Sequence, residues 1–157
     1  MARHRRRAPT GPRVLGGRSR LYSTPRDYLR FQQALLHDGT FEGTTILRKE
    51  TVDAAFCNQI GELDFPASMP TADPTASCDF VAGPGCKWGY GLLLNQEDIP
   101  GHRRAWSGAW AGLANTHFCV DRTTGITAAI YSQFLPFAPP EALALYDAFE
   151  QAVYASI

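Results

Sequence analysis

Trp106-Ser107-Gly108-Ala109-Trp110-Ala111-Gly112 is an apolar run broken by small residues, and the residues after it decide the fold. Two strand-like segments follow, 113–120 and 126–134, separated by the turn sequence Asp121-Arg122-Thr123-Thr124-Gly125. A strand whose middle is Ser-Gly-Ala carries no bulky side chain on one edge, so another molecule's backbone or carbonyl can come close. That is one way to build a substrate cradle. It is also what a glycine bend in a buried strand looks like, and Trp-Ser-Gly alone does not separate the two.

Working outward, Trp88-Gly89-Tyr90-Gly91-Leu92-Leu93-Leu94 reads as a strand whose glycines mark close backbone approach. Residues 96–101 form a turn and 103–107 the next strand. With 113–120 and 126–134 this predicts a four-strand antiparallel meander. Pro139-Pro140-Glu141 opens a helix over about 139–155, with Leu143, Leu145, Tyr146, Phe149, Val153 and Tyr154 as a broad apolar face. Near the other end, Thr24 or Ser23 is an N-cap, Pro25 suits the first helical position and Asp27 adds first-turn charge. Tyr28, Phe31, Leu35 and Leu36 then recur at helical spacing until Asp38-Gly39, predicting a helix over about 25–37. A short extended segment over 41–47 and a second helix over about 49–57, with Val52, Ala55 and Phe56 inward, complete this part. Helices outside a run of strands indicate an α+β fold: an antiparallel β-sheet with flanking helices.

The chain has 157 residues, 45% hydrophobic and 19% charged, the size and composition of one globular domain. Its zero net charge hides a division. Residues 1–20 hold seven Arg and no acid, so the remainder carries fifteen Asp and Glu against eight Lys and Arg. The basic head over 1–15 contains Pro9 and Pro12 and no apolar face, which predicts a disordered tail. A targeting address or a nucleic-acid patch are its other readings; Pro9 and Pro12 oppose the amphipathic helix of a mitochondrial presequence. The domain proper is 16–157, interrupted by a long loop over about 58–86 where Pro66, Pro70, Pro74 and Pro84 fall and no periodicity survives. No run of 18 apolar residues predicts a membrane span, and no apolar leader is visible, so a cytoplasmic location is expected.

Cys57, Cys78, Cys86 and Cys119 show no metal-ligand spacing, and His4, His37, His102 and His117 are scattered. Neither a metal site nor a cofactor is expected. Cys119 alternates into an apolar strand as a small buried hydrophobe. Cys78 and Cys86 flank a loop and could bridge in an oxidising compartment, but free thiols are expected without a secretion signal.

The order of pieces carries a resemblance. Gly16-Gly17, Leu21, Ser23-Thr24, Asp27-Tyr28 and Phe31 are followed by Leu35-Leu36, Asp38-Gly39, Ile46-Leu47 and Glu50-Thr51-Val52. Trp88-Gly89-Tyr90-Gly91 and Trp106-Ser107-Gly108 close the series. This resembles the C-terminal part of the β-lactamase-related serine hydrolases: class C β-lactamases, penicillin-binding-protein-like esterases and fungal polyketide transesterases. The resemblance covers about 16–157 and implies a partial β-lactamase/transpeptidase-like fold.

It also implies a chemistry. In such enzymes the nucleophile is the Ser of S-x-x-K, and a Tyr of a Y-x-N or Y-x-S motif assists proton transfer. Trp106-Ser107-Gly108 matches the W-x-G form of the third motif, so the resemblance makes Trp106, Ser107, Gly108 and Ala109 substrate-binding positions. The Ala109 N–H would be one half of the oxyanion hole. Trp in place of the lactamase Lys favours ester or thioester substrates over β-lactams. Yet Lys49 and Lys87 are preceded, three residues earlier, by Ile46 and Pro84, so S-x-x-K is absent. Tyr154-Ala155-Ser156 fits Y-x-S only formally, at the end of the last helix. No catalytic residue is therefore expected. The chain reads as a truncated hydrolase or acyltransferase, inactive alone, taking a small ester or acyl substrate once completed by the missing part. A non-catalytic binding or scaffold protein, or a nucleic-acid-associated one acting through the Arg-rich head, are the alternatives.

Overall fold

The computed structural model describes residues 22–66, Ala72 and 85–157. The expected disordered head, and most of the expected long loop, lie outside the described residues.

Helix α1 runs over Pro25–Leu36. The Thr24 hydroxyl accepts the Asp27 N–H at 3.1 Å and donates to Asp27 Oδ2 at 2.8 Å, so cap and first-turn acid act together. Gly39, at φ +90°, stops the helix; a Cβ there would sit 2.1 Å from the Leu47 carbonyl oxygen. The buried face of α1 is Gln32, Ala34 and Leu35, whereas Phe31 is exposed and leans on Tyr28 at the rim. A two-residue hairpin, β1 (Thr40–Phe41) and β2 (Thr44–Thr45), leads to α2 (Lys49–Ala55).

The main sheet contains β3 (Lys87–Trp88), β4 (Leu93–Leu94), β5 (Gly108–Gly112), β6 (Thr116–Asp121) and β7 (Ile126–Ile130) in that spatial order, every pair antiparallel. The meander is thus present, with five strands where four were expected. The segment 88–94 is a hairpin rather than one strand. Gly91 takes φ +78°, the Gly89 N–H donates to the Leu92 carbonyl at 2.8 Å, and a Cβ on Gly89 would lie 1.9 Å from the Ala55 oxygen. Residues 103–107 are not a strand. Trp106 sits at φ +63° and the Ser107 N–H turns back to the Arg104 carbonyl, so pairing with β6 starts only at Gly108. The residues 113–115 turn instead of extending: Asn115 takes φ +62° and donates its N–H to the Gly112 carbonyl at 2.9 Å.

Side-chain alternation along the strands sorts the core into two layers. Phe118 and Val120 join Leu92 and Leu94 against Leu35, Val52 and Phe56, so α1 and α2 cover one face. Ala109, Cys119 and Ala128 point the other way and pack against Phe149 and Val153 of α3 (Pro140–Tyr154). On α3 the inward face carries Ala142 and Glu150, while Leu145 is exposed.

Candidate functional site

Strand β5 has unequal neighbours. Along its full length it pairs with β6, from Gly108 opposite Val120 to Gly112 opposite Thr116. On the other side β4 reaches only Gly108 and Ala109, opposite Leu94 and Leu93. Beyond Ala109 no strand of the described residues lies on that edge.

Which backbone groups face the open edge follows from the alternation of antiparallel ladders, where successive residues turn N–H and C=O to opposite neighbours. Two bonds fix the phase. The Gly112 carbonyl accepts from Asn115, so Gly112 faces β6; the Leu92 carbonyl accepts from Gly89, so Leu92 faces β3 and Leu93 faces β5. Counting along β5, Gly108 and Trp110 face β6, while Ala109 and Ala111 face the side of β4. Ala109 meets Leu93 there and its N–H is taken up by the ladder. Ala111 has the same phase and no strand opposite it, and Leu113, half exposed at the start of the turn, is the next position of that phase.

The four positions expected to form a cradle are held differently from one another. Trp106 is exposed, and its N–H donates to the Asn95 carbonyl at 2.6 Å. Ser107 is buried and donates its hydroxyl to the Arg104 carbonyl at 2.7 Å. At Gly108 the space for a side chain is already filled. A Cβ would come within 2.7 Å of Leu92 Cδ1 and 2.9 Å of Phe56 Cε1, so the close approach expected of a substrate is made by the protein's own core. Ala109 is buried as well. Sequence reasoning missed the second W-x-G in the same stretch, Trp110-Ala111-Gly112, four residues on. A Cβ on Gly112 would meet nothing nearer than 4.0 Å. Trp110 packs edge-on against Trp88 with ring centroids 4.6 Å apart, and Phe65 lies against both rings.

Other hydroxyls and acids nearby serve the fold. Ser132 donates to the Ala114 and Asn115 carbonyls. Tyr154, of the formal Y-x-S, donates to Asp121 Oδ2 at 2.9 Å; burial first, and then this carboxylate, push its phenol far above its ordinary value. Cys119 is fully buried, and burial lifts its thiol to about 11, which keeps it protonated and unreactive at neutral pH. His102 bridges the Pro100 carbonyl and Asp147 of α3, each at 2.9 Å. Among the described residues no cluster of three or more His, Cys, Asp or Glu could hold a metal, and no helix is long and apolar enough to cross a membrane.

Family models and curated proteins give no match to the chain. Solved structures do. Unliganded simvastatin synthase (LovD) from Aspergillus terreus superposes with a TM-score of 0.63 at 23% identity, over 84% of this chain and 34% of that one. The LovD9 mutant of the same enzyme gives 0.63 at 24% identity, over 85% and 35%. This chain spans about a third of the length of those proteins. Over that third it has the β-lactamase-like fold that the order of its motifs implies.

Proposed function

We propose that the chain forms one wall of the acyl site in a β-lactamase-related acyltransferase that takes ester or thioester substrates. The observation that carries the proposal is the open edge of β5, on a chain that shares its fold with simvastatin synthase. The wall is better placed at Trp110-Ala111-Gly112-Leu113 than at Trp106-Ser107-Gly108-Ala109. Both stretches fit W-x-G followed by one residue, but only the second presents backbone to the unpaired edge. The oxyanion donor is then the Leu113 N–H in place of Ala109, and Trp110 is the apolar wall. A donor of this kind contributes about 2.7–4 kcal/mol of transition-state stabilisation. The nucleophilic Ser, its Lys and the proton-transferring Tyr are to be supplied by residues outside this sequence.

The test grafts residues 22–157 in place of the matching third of simvastatin synthase. The chain alone is expected to show no labelling by a fluorophosphonate probe and no nitrophenyl-ester hydrolysis. The graft is expected to acquire both. A Leu113→Pro change in the graft removes the N–H at a turn position that suits proline, and kcat should fall about 10²–10³-fold. Labelling of the ungrafted chain that is lost on Ser107→Ala, or full turnover in the Leu113→Pro graft, would sink the proposal.

A further inference from the structure

The tip of the β5–β6 hairpin is held from outside the sheet. Among the described strands β4 stops opposite Ala109 and β7 opposite His117, so residues 112–116 project past both flanking strands. The connection is three residues long, 113–115, closed by the Asn115 N–H on the Gly112 carbonyl, with Asn115 in the left-handed region at φ +62°. Three-residue hairpin loops end in such a residue, and Asn tolerates the conformation well. What reaches the tip is the stretch after β7. Ser132 Oγ donates to the Ala114 and Asn115 carbonyls, and Thr116 Oγ1 donates to the Ser132 carbonyl at 3.3 Å. The hub is the Asn115 carboxamide, in a residue 2% exposed. Its Nδ2 donates to the Phe134 and Pro136 carbonyls, each at 2.9 Å, and its Oδ1 accepts the Ala138 N–H at 2.8 Å. All three partners lie in a stretch that belongs to no strand or helix.

A transition-state donor works only if it is fixed before the reaction, and misplacing it by about 1 Å can cost about 100-fold in rate. Leu113 lies inside the turn, between the Gly112 carbonyl and the Asn115 N–H that close it. We propose, resting on the acyl-site reading above, that Asn115 is a positioning residue for that site. By fixing the hairpin tip on residues 132–138 it aims the Leu113 N–H along the open edge of β5. It touches no substrate itself. The role accounts for a polar residue at a buried place. An apolar side chain could fill the space, but a carboxamide brings two donor hydrogens and an acceptor in one plane, and here all of them are spent on backbone. Such a fully satisfied buried network selects one arrangement of the tip over others.

The test is a double-mutant cycle in the graft of residues 22–157 onto simvastatin synthase. Asn115→Gly keeps a residue at ease at φ +62° and removes the carboxamide. With Leu113 in place, kcat should fall about 10- to 100-fold while KM stays within about twofold, because the donor acts in the transition state. In the Leu113→Pro graft no donor is left to aim, so adding Asn115→Gly should change kcat by less than about twofold. Where Asn115→Gly does not fold, Asn115→Asp takes its place in the cycle; it keeps Oδ1 for the Ala138 N–H and loses both donated bonds. Equal losses in the two backgrounds would show a residue that only supports the fold. No loss with Leu113 present would show that the carboxamide positions nothing. Either result overturns the proposal and leaves the acyl site standing. A parent graft without turnover, or a Leu113→Pro graft with full turnover, fails the acyl-site reading itself and takes the role of Asn115 with it.

Discussion

Tyr154 Oη donates to Asp121 Oδ2 at 2.9 Å, fastening the last turn of α3 to the end of β6. The same carboxylate accepts the Arg104 N–H at 2.9 Å and the N–H groups of Thr123 and Thr124 at 2.9 and 3.0 Å. One fully buried side chain thus gathers the segment entering β5, the β6–β7 turn and the C-terminal helix. Bonds to an ionised group are worth about 1.5–3 kcal/mol, so Tyr154→Phe should lower stability by that amount. Asp121→Ala strands several buried donors and should cost more. Urea unfolding measures both; a Tyr154→Phe midpoint equal to wild type would show that the bond holds nothing.

Acid should find this carboxylate. Burial works to raise its pKa, but the Arg104 and Thr124 N–H groups and Tyr154 outweigh burial and hold it below the ordinary carboxylate value. The folded chain therefore binds this proton less readily than the unfolded one. The stability Asp121 contributes is complete above pH of about 4, the unfolded value, and is lost as pH falls through the folded one. Wild type should lose stability below pH of about 4 more steeply than Asp121→Asn. Parallel pH profiles for the two would refute the assignment.

His117 acts in a higher window. Burial lowers its pKa, so the unfolded chain takes up the proton first, and stability falls as pH drops below about 6.5 toward the folded value. His117→Phe should remove this dependence below pH of about 6.5 and leave the Asp121 limb in place. An unchanged slope in that window would place the titration elsewhere.

Strand β7 is an outer strand among the described residues, and Ile126-Thr127-Ala128-Ala129-Ile130 carries no charge, proline or bulge to discourage pairing. The isolated chain is expected to self-associate with rising concentration and to bind a hydrophobic dye. A cooperative monomer at every concentration, silent to dye, would contradict this.

What could be read from the sequence was whatever depends on local chemistry. Thr24, Pro25 and Asp27 announced α1 because capping is settled within four residues. The alternation in β6 and β7 and the Pro-initiated α3 were legible for the same reason. The β3–β4 hairpin was not, since Gly89 and Gly91 read equally well as close approach within one strand. The start of β5 was missed by a few residues because Trp106, a bulky residue, takes a backbone angle that composition does not advertise. Trp106-Ser107-Gly108 and Trp110-Ala111-Gly112 look alike as letters. What separates them is where β4 ends, and that is a tertiary fact.

That separation can be measured without any turnover. Ala109 and Ala111 share a strand, a residue type and a backbone phase, and both pair with β6, yet on the other side only Ala109 has a partner among the described strands, Leu93 of β4. In hydrogen exchange the Ala109 amide should be protected to near the global stability, while the Ala111 amide should exchange far faster. Proline scanning gives the matching result. Ala109→Pro removes a ladder bond inside the sheet and should destabilise the chain by more than about 1 kcal/mol. Leu113→Pro falls at the second position of the turn closed by the Asn115 N–H and Gly112 oxygen, where proline fits, and should stay within about 1 kcal/mol of wild type. A Leu113→Pro chain that folds normally is also what makes the loss of kcat in the graft interpretable, because only the donor has gone. If instead the Ala111 amide is as protected as Ala109, some other segment pairs with this edge. The open wall would then not exist, and the acyl-site proposal would fail with it even though the fold stands.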